Sequence, residues 1–514
     1  MLTKATEGND SFRSKNTKTK GVIMSKNIEI AKLATMSKTV AAEDDKTLHK
    51  YYVETGKLQD VCSGGQVVLG TKGSGKTALF MHAHDSLKKL GVVVVPFSLV
   101  NDFPLERQKM FKDENVSLVE RYVLGWQYTL TLATYLQLKS SGSLSLRERT
   151  KLWWCYRRAR RHDVGGLIER WLLRRLETSA KFRSVGISSS HVENPLTRNE
   201  DMRRFISAMD SVGKRKKCVV LIDGIDPIWD AVDEGDDRKR VIQGLVQAVR
   251  LANNATESIS SNSSTVVKDL PSGMMDISCL PRVICFLRTD IFHEIEFSDR
   301  NKILRGAVNL RWNQETLQDI VVSRARYFLD DASINWQDVV NTDDVMRSRQ
   351  NISSYIWMRT FNRPRDIITF ISFAAQSAAD AGSLRIGKDE INGAFDLYSE
   401  HVLREFEDEY ASSSYLFAKV KDVLTAIDED KFTFQRWLEV GEFTDEEQAK
   451  GYLSDAINRS IVGWLDVGGD QRGSRWNFVC FSPKSSFSLD SSFKVHPTIA
   501  RGLNIKESRR STSA

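Results

Sequence analysis

A long apolar run is missing from this chain of 514 residues. The longest one, residues 92–95 followed by Phe97, Leu99 and Val100, is far too short to cross a bilayer, which needs roughly 20 apolar residues. At the N-terminus no basic start is followed by an apolar segment, so no secretory signal is visible. We therefore expect a cytoplasmic protein that makes no membrane contact.

Cysteine and histidine are scarce, with six and eight residues respectively. Cys218 and Cys285 fall inside predicted buried strands, where we expect reduced thiols that act as small apolar side chains. His82 and His84 are two residues apart on a predicted helix, so their rings point apart and a metal site is not expected there. The net charge of +7 is modest for this length and does not by itself indicate nucleic-acid binding.

The composition that is present, 41% hydrophobic and 27% charged residues, is typical of a globular protein with roughly two to four domains. Residues 1–44 are rich in Lys, Ser, Thr and Asn and are predicted to be a disordered tail, with Met24 as an alternative start. From Tyr51 onward, short apolar runs alternate with amphipathic segments. This alternation predicts an α/β fold.

One motif carries most of the functional information. Residues 66–69 read as a buried strand, residues 78–90 read as a helix, and between them lies a complete G-x-x-x-x-G-K-[ST] phosphate loop. Its glycines let backbone N–H groups surround the β- and γ-phosphates of a nucleotide, Lys76 neutralises phosphate charge, and Thr77 ligates Mg²⁺. The predicted nucleotide-binding residues are Gly70, Thr71, Lys72, Gly73, Ser74, Gly75, Lys76 and Thr77.

Two further apolar runs end in polar residues. The strand 218–222 runs into Asp223, a Walker B pattern in which the carboxylate holds Mg²⁺ through water. A plain turn acid at the strand end is the alternative. The strand 283–287 ends in Arg288, which is placed either to meet the γ-phosphate or to pair with a neighbouring Asp. Between these strands we predict a helix over 241–251 and a flexible loop over 253–264. Further strands are predicted at 92–99 and 308–312.

Together the loop, the Asp223-Gly224-Ile225-Asp226 ending and the motif 362–366, Asn-Arg-Pro-Arg-Asp, resemble prokaryotic P-loop ATPases of the AAA+ and STAND type, including KAP-like proteins. That resemblance implies a parallel sheet of order 5-1-4-3-2 in a core over 45–312, with a helical basic insertion at about 105–200. A helical lid follows over 313–400. It also implies an ATP- and Mg²⁺-dependent protein that oligomerises, often within bacterial antiphage or stress-response systems.

The resemblance assigns several further roles. Arg365 takes the second-sensor position on the lid helix, with a solvent-facing helix-start arginine as the alternative. Arg300 or Arg305 takes the position of an arginine that reaches a neighbouring subunit, although solvated helix-end charges are favoured for both. Fast AAA+ motors place Glu directly after the Walker B Asp, where this chain has Gly224. Asp226 is the nearest replacement as the water-activating base, which predicts slow hydrolysis.

The insertion contains a cluster of arginines interleaved with aromatic residues. Nucleic acid, an acidic partner protein and a solvated ion-paired face remain open as explanations. The arginines singled out for contact with DNA or RNA are Arg157, Arg158, Arg160 and Arg161. Residues 401–514 are predicted to be a winged-helix-like domain because helices precede a hairpin formed by 464–467 and 476–481. No basic recognition helix is apparent there, so packing against the nucleotide domain is favoured over DNA binding.

These observations predict an ATP-binding, slowly hydrolysing switch that forms a homo-oligomer and regulates a separate effector protein. An ATP-gated DNA- or RNA-binding protein is the alternative. A small-molecule kinase is disfavoured because it would leave the C-terminal domain unexplained. The predicted catalytic residues are Lys76, Asp223, Asp226, Arg288 and Arg365, and the predicted metal ligands are Thr77 and Asp223.

Overall fold

The computed structural model describes residues 29–98, 117–160, 195–213, 216–226, 235–260, 280, 282–297, 299–409, 414–466, 475–482 and 487–506. Five parallel strands form the first sheet: β1 (Val67–Gly70), β2 (Val93–Ser98), β3 (Cys218–Asp223), β4 (Val283–Arg288) and β5 (Ala307–Asn309). Their spatial order is β2-β3-β4-β1-β5, which is the predicted order 5-1-4-3-2 viewed from the other edge. The predicted α/β class and strand order are confirmed.

Helices cover both faces of this sheet, which is why its central strands are apolar and buried along most of their length. On one face lie α2 (Lys57–Cys62) and α3 (Lys76–Lys89), whose Leu58, Leu79 and Leu87 pack against the strands. On the other face lie α4 (Leu118–Ser140), α5 (Leu146–Arg160), α6 (Pro195–Gly213) and α7 (Gly235–Ser260). Two short helices, α8 (Thr289–Glu294) and α9 (Arg300–Arg305), connect β4 to β5.

The prediction of a disordered tail over residues 1–44 is wrong for residues 29–44. In this segment the chain forms helix α1 (Ile30–Leu33) and two 3-10 helices (Ala34–Thr39 and Ala42–Asp44). Ile30, Leu33 and Met36 are buried in the core of the lid. Three apolar residues at a spacing of three form one helical face, and burial of that face against the lid orders a segment whose average composition is polar. Residues 1–28 lie outside the described residues.

The predicted loop at 253–264 is also wrong in its first part, because α7 continues to Ser260. Asn253 explains why the helix persists. Its buried Nδ2 donates to the carbonyl of Val283 at 2.8 Å, and its Oδ1 accepts from the amides of Arg282 and Val283 at 2.8 and 3.0 Å. The asparagine thus satisfies the backbone at the start of β4, a long-range role that a loop-like composition conceals. Residues 261–264 lie outside the described residues.

A helical lid follows the sheet: α10 (Gln314–Leu329), α11 (Trp336–Val339), α12 (Ile352–Trp357), α13 (Pro364–Ala381) and α14 (Lys388–Glu409). The predicted boundary at residue 400 is wrong, because α14 crosses it. Ala394, Tyr398, Val402 and Phe406 recur every four residues and are buried along one stripe of this helix. An uninterrupted stripe of that kind keeps the helix continuous.

The last unit comprises α15 (Ser414–Ile427), β6 (Lys431–Thr433), α16 (Phe434–Gly441), α17 (Glu446–Asn458), β7 (Val462–Asp466), β8 (Arg475–Asn477), β9 (Ser492–Val495) and α18 (Pro497–Gly502). Its sheet is antiparallel with the order β6-β9-β7-β8. The predicted hairpin partners do pair, with Trp464 opposite Asn477, and the turn between them lies outside the described residues. We call residues 414–506 the C-terminal unit. It shares one hydrophobic core with the lid.

In the part of the chain that the structure describes, no helix combines the length and apolar character needed to span a bilayer.

Candidate nucleotide-binding site

The phosphate loop lies between β1 and α3, as predicted. Gly73 and Gly75 have φ angles of +77° and +90°, in the left-handed region that favours glycine. A Cβ atom at Gly73 would also lie only 3.1 Å from Cβ of Arg365, so the lid approaches the loop closely at this point. The loop therefore turns sharply into α3 and presents its backbone N–H groups at the helix N-terminus, where anions bind.

Lys76 is buried, and its Nζ donates to the carbonyl oxygens of Gly70 and Thr71, each at 3.0 Å. Burial lowers the pKa of this ammonium group, while the nearby carboxylates of Asp226 and Asp223 act in the opposite direction. A cation held across its own loop beside two acids is placed to neutralise phosphate oxygens.

Asp223 ends β3 and is buried beside α3. Burial raises the pKa of its carboxyl group, and this effect is opposed by hydrogen bonds from the Thr77 hydroxyl and the Gly224 amide and by the charge of Lys76. The two predicted metal ligands, Thr77 and Asp223, therefore lie close together and line the same cavity. A hydroxyl and a carboxylate at the phosphate end of a cavity form an oxygen donor set of the type that Mg²⁺ prefers, so the residues present fit this ion.

Arg288 pairs with a neighbouring aspartate, which is one of the two roles that its position at the strand end left open. Its buried guanidinium donates to the carboxylate of Asp290 through Nε at 3.1 Å and Nη2 at 2.5 Å. Its Nη1 also lies 3.9 Å from Oδ2 of Asp226, and Arg288 stands opposite Gly70 in the sheet register. The structure thus brings Arg288, Asp226 and Lys76 together, and the contact of Arg288 with a γ-phosphate stays a prediction.

The lid contacts the phosphate loop through the start of α13. The backbone N–H of Arg365 donates to the carbonyl of Gly73 at 3.4 Å, and its side chain lies 3.3 Å from Glu405 while lining the cavity described below. Arg363, which the sequence did not single out, donates to the carbonyl of Lys72 at 3.1 Å and forms a buried ion pair with Asp366. Arg365 therefore lies at the site, and its role as a sensor stays a prediction.

Asn362 and Trp312 were also missed as site residues. The indole N–H of Trp312 donates to the carbonyl of Ser74 at 3.0 Å. The amide of Asn362 donates to the carbonyls of Trp312 at 2.7 Å and Cys480 at 3.1 Å, and its Oδ1 accepts from the indole of Trp357 at 3.1 Å. Asn362 therefore connects the loop, the lid and the C-terminal unit. Its position before Arg363-Pro364 is the signal that could have identified it.

A cavity of about 440 Å³ joins these residues to the N-terminal segment. At its phosphate end lie Lys76, Thr77, Asp223 and Asp226. Its other end is largely apolar and is lined by Val40, Leu48, Tyr51, Val53, Ile320 and Ile368. Cavities of this size and mixed polarity suit small ligands, and the phosphate loop at one end selects a nucleotide among them.

The N-terminal segment is held over this cavity by a buried ion pair. Arg324 of α10 donates to Oδ2 of Asp45 at 3.0 Å and to the carbonyl of Met36 at 2.9 Å, and its guanidinium lies 4.9 Å from the ring centre of Tyr51. Its burial lowers the pKa of Arg324, and the charge of Asp45 counteracts this. Sequence analysis did not identify this ion pair, because Arg324 and Asp45 are 279 positions apart in the chain.

The two candidate trans-acting arginines differ. Arg300 uses Nη2 to donate to the carbonyls of Phe292, His293 and Ile295 at 3.3, 3.0 and 2.6 Å, so it caps the neighbouring helix α8 within the same chain. Arg305 is exposed at the end of α9. Of the two, Arg305 therefore stays the candidate for the predicted contact with a neighbouring subunit.

The basic insertion presents an exposed face on α5. Arg157 and Arg158 are exposed and Arg160 is half-buried, whereas Arg161 lies outside the described residues. Trp153 and Trp154 are 40% and 55% exposed, with the Arg157 guanidinium 5.1 Å from the ring centre of Trp153. The opposite stripe of the helix, Leu152, Tyr156 and Ala159, is buried.

In the described part of the chain, no group of three His, Cys, Asp or Glu side chains could hold a metal ion.

Comparisons with known proteins match parts of this architecture. Residues 315–407, which are the lid, match the family described as the FunZ-associated C-terminal helical domain. Over 91% of its length the chain is 22% identical to an 80.3 kDa protein of Escherichia coli K12 that is named after transposon gamma-delta. The chain spans 66% of that relative's length.

Two solved structures align over most of the chain. Cdc6p from Pyrobaculum aerophilum is 12% identical with a TM-score of 0.28, and the alignment covers 85% of this chain and 87% of that one. The Drosophila ORC structure bound to DNA contains a chain that is 11% identical with a TM-score of 0.29, over 98% and 96% of the two chains. Scores this low carry no argument about fold or function.

Proposed function

We propose that this protein is an ATP-binding molecular switch of the AAA+ and STAND type that hydrolyses ATP slowly. The observation that carries the proposal is that Thr77 and Asp223 line one cavity together with the buried Lys76 and the lid residue Arg365. Bound Mg²⁺ would be held by Thr77 and Asp223 and would neutralise charge on the phosphates.

The remaining roles belong to the chain itself. Lys76 binds the phosphates, Arg365 on the lid senses the bound nucleotide, and Asp226 accepts a proton from the attacking water. Asp226 is a short side chain three positions beyond the Walker B acid, and its carboxylate lies near Arg288, which supports slow turnover over rapid motor activity. A slow hydrolytic step suits a switch because the ATP-bound state then persists long enough to act on a partner.

The resemblance of the three motifs extends the proposal to assembly and partners. We assign the protein a homo-oligomeric state, with Arg305 facing a neighbouring subunit, and a separate effector protein as its output, as in bacterial antiphage systems. The C-terminal unit is assigned as winged-helix-like because helix α15, strand β6, helices α16 and α17 and strands β7 to β9 follow one another in that order. Its core is continuous with the lid, which supports a packing role for it.

Calorimetry with Mg-ATP tests the nucleotide site. Lys76→Ala should abolish detectable binding, because it removes the cation that contacts the phosphates. Lys89→Ala, an exposed lysine near the end of the same helix α3, is the matched control and should bind like wild type. Equal affinity of wild type and Lys76→Ala would overturn the site assignment.

A second candidate function is ATP-gated binding of DNA or RNA through α5. It is favoured by the exposed Trp153 and Trp154 next to Arg157 and Arg158, a combination that can stack on bases and contact phosphates. The relative named after a transposon is consistent with a setting where DNA is present.

Replacing Arg157, Arg158, Arg160 and Arg161 together by Glu discriminates the two functions. If nucleic acid binds there, wild-type affinity for labelled DNA or RNA should fall steeply with salt and the variant should lose it. If the switch is the function, nucleic acid binds poorly even to wild type and the variant changes assembly in ATP, as sedimentation would show. No change in either measurement would identify the arginines as a solvated face.

A further inference from the structure

A line of charged side chains runs from the nucleotide site to the C-terminal unit. Asp226 lies 3.9 Å from Arg288, which grips Asp290 through two hydrogen bonds. Oδ2 of Asp290, which accepts one of these hydrogen bonds, also lies 3.8 Å from Nη1 of Arg459, the residue that follows α17. Asp290 is therefore shared between a guanidinium of the sheet and a guanidinium of the C-terminal unit.

All three groups are well shielded from water. The side chains of Arg288, Asp290 and Arg459 are 5%, 24% and 14% exposed. Shielding strengthens the attraction between charges, so a change in one contact is felt by the others. Arg459 is itself positioned by Asp455 of α17 at 3.1 Å and lies 3.9 Å from Glu294 of α8.

The electrostatics keep Asp290 charged. Burial acts to raise the pKa of its carboxyl group, but the attraction of Arg288, together with that of Arg459, outweighs burial and holds the pKa below its ordinary value. A carboxylate that stays ionised attracts whichever guanidinium is near. The strength of its hold on Arg288 thus depends on whether Arg459 is present to share its charge.

On the basis of the proposed ATPase function, we propose that Arg459 is a positioning residue through which the C-terminal unit controls Arg288. In the position seen here Arg288 makes both hydrogen bonds to Asp290, and the charge of Arg459, 3.8 Å from the same carboxylate, weakens that hold so that the guanidinium turns toward the nucleotide once ATP binds. When the unit moves away, Asp290 attracts Arg288 alone and holds it at the strand end. Partner binding to the C-terminal unit would thereby change the rate of hydrolysis.

A double-mutant cycle tests this assignment. We expect Arg459→Gln to lower kcat for ATP hydrolysis by roughly five-fold, in the range for mutations that alter coupling between sites, with the Kd for Mg-ATP unchanged. In an Asp290→Asn background, Arg459→Gln should have no further effect, because the charge that the two arginines share is gone. Arg459→Lys should restore part of kcat, since it returns the charge without the planar fork. The control is Arg436→Gln, at an exposed arginine of α16 in the same unit.

An unchanged kcat in Arg459→Gln, or effects of Arg459→Gln and Asp290→Asn that simply add, would overturn the proposal. Thermal unfolding of each variant separates loss of folding from loss of turnover, and if Arg459→Gln unfolds, Arg459→Lys in both backgrounds gives the same comparison. The proposed function fails differently, because wild type would then show no binding of Mg-ATP by calorimetry. A wild type that binds and hydrolyses ATP while the cycle is additive overturns the role of Arg459 alone.

Discussion

Two acidic side chains, one at the end of β3 and one shortly after it, differ in their surroundings. Asp223 is buried beside Thr77, whereas Asp226 is 37% exposed and lines the cavity near Arg288. We propose that the first holds a cation and that the second takes a proton from water. Their positions on the same short segment allow these roles to be separated by conservative substitutions.

We predict that Asp223→Asn weakens Mg²⁺-dependent ATP affinity by about ten-fold, equivalent to about 1.4 kcal/mol, because a charged metal ligand is lost. Asp226→Asn should leave affinity within about two-fold and lower turnover by about a hundred-fold, as expected for removal of a general base. Calorimetry with and without Mg²⁺ and a steady-state ATPase assay measure the two effects. Wild-type turnover in Asp226→Asn would mean that another group polarises the water.

At the scale of secondary-structure elements, the turn between α12 and α13 brings three parts of the molecule together. Asn362 in this turn has a φ angle of +56°, and its side chain makes hydrogen bonds to Trp312, Trp357 and Cys480. Asparagine tolerates the left-handed conformation better than most residues and supplies both a donor and an acceptor. The turn thus depends on two properties of one residue.

Two substitutions at this position should separate those properties. Asn362→Gly removes the hydrogen bonds but keeps the backbone conformation, and we expect it to lower the free energy of unfolding by about 2 kcal/mol. Asn362→Ala should cost about 1 kcal/mol more, because alanine is strained at this φ angle. Urea unfolding measures both values. Equal stabilities of the two variants would show that the backbone conformation contributes nothing, and two variants as stable as wild type would show that the junction is not held by Asn362.

The order of the elements that form the parallel sheet could be predicted from local sequence patterns. Strands β1, β3 and β4 are short apolar runs that end in Gly70, Asp223 and Arg288, and both faces of a parallel sheet select such runs. Element boundaries set by distant contacts were not accessible. Helix α7 extends past its predicted end because Asn253 binds the backbone of β4, and residues 29–44 fold because the lid offers their apolar face a partner.

At the scale of the whole molecule, the lid and the C-terminal unit share one hydrophobic core, and His496 is buried beside it. This histidine is fully buried, stacks on Phe361 with ring centres 4.1 Å apart and faces Arg359 and Arg363. Burial, with the charges of Arg359 and Arg363, lowers the pKa of His496 to about 3. The folded protein therefore keeps this ring neutral across the physiological range.

This gives a prediction for stability against pH. In the unfolded chain a histidine takes up its proton near pH 6.5, whereas folded His496 resists protonation until about pH 3. The free energy of unfolding should therefore fall as the pH is lowered from about 6.5, by up to about 1.4 kcal/mol per pH unit from this group. Urea midpoints at several pH values should show a steeper loss in wild type than in His496→Gln. His401→Gln, at a partly exposed histidine, is the control and should keep the wild-type slope. Parallel slopes in all three proteins would contradict the prediction.

The phosphate loop, the acid at the end of β3 and the strands that carry them could be predicted without the structure, because they depend on backbone conformation and apolar content within a short stretch of chain. Three sets of contacts could be seen only in the folded chain: Asp290 contacts both Arg288 and Arg459, Asp45 pairs with Arg324, and Asn362 donates to the carbonyl of Cys480. Each set of contacts joins elements that are distant along the chain. Such pairs form because packing of the apolar cores brings buried polar groups together, and those groups must then find partners where they lie.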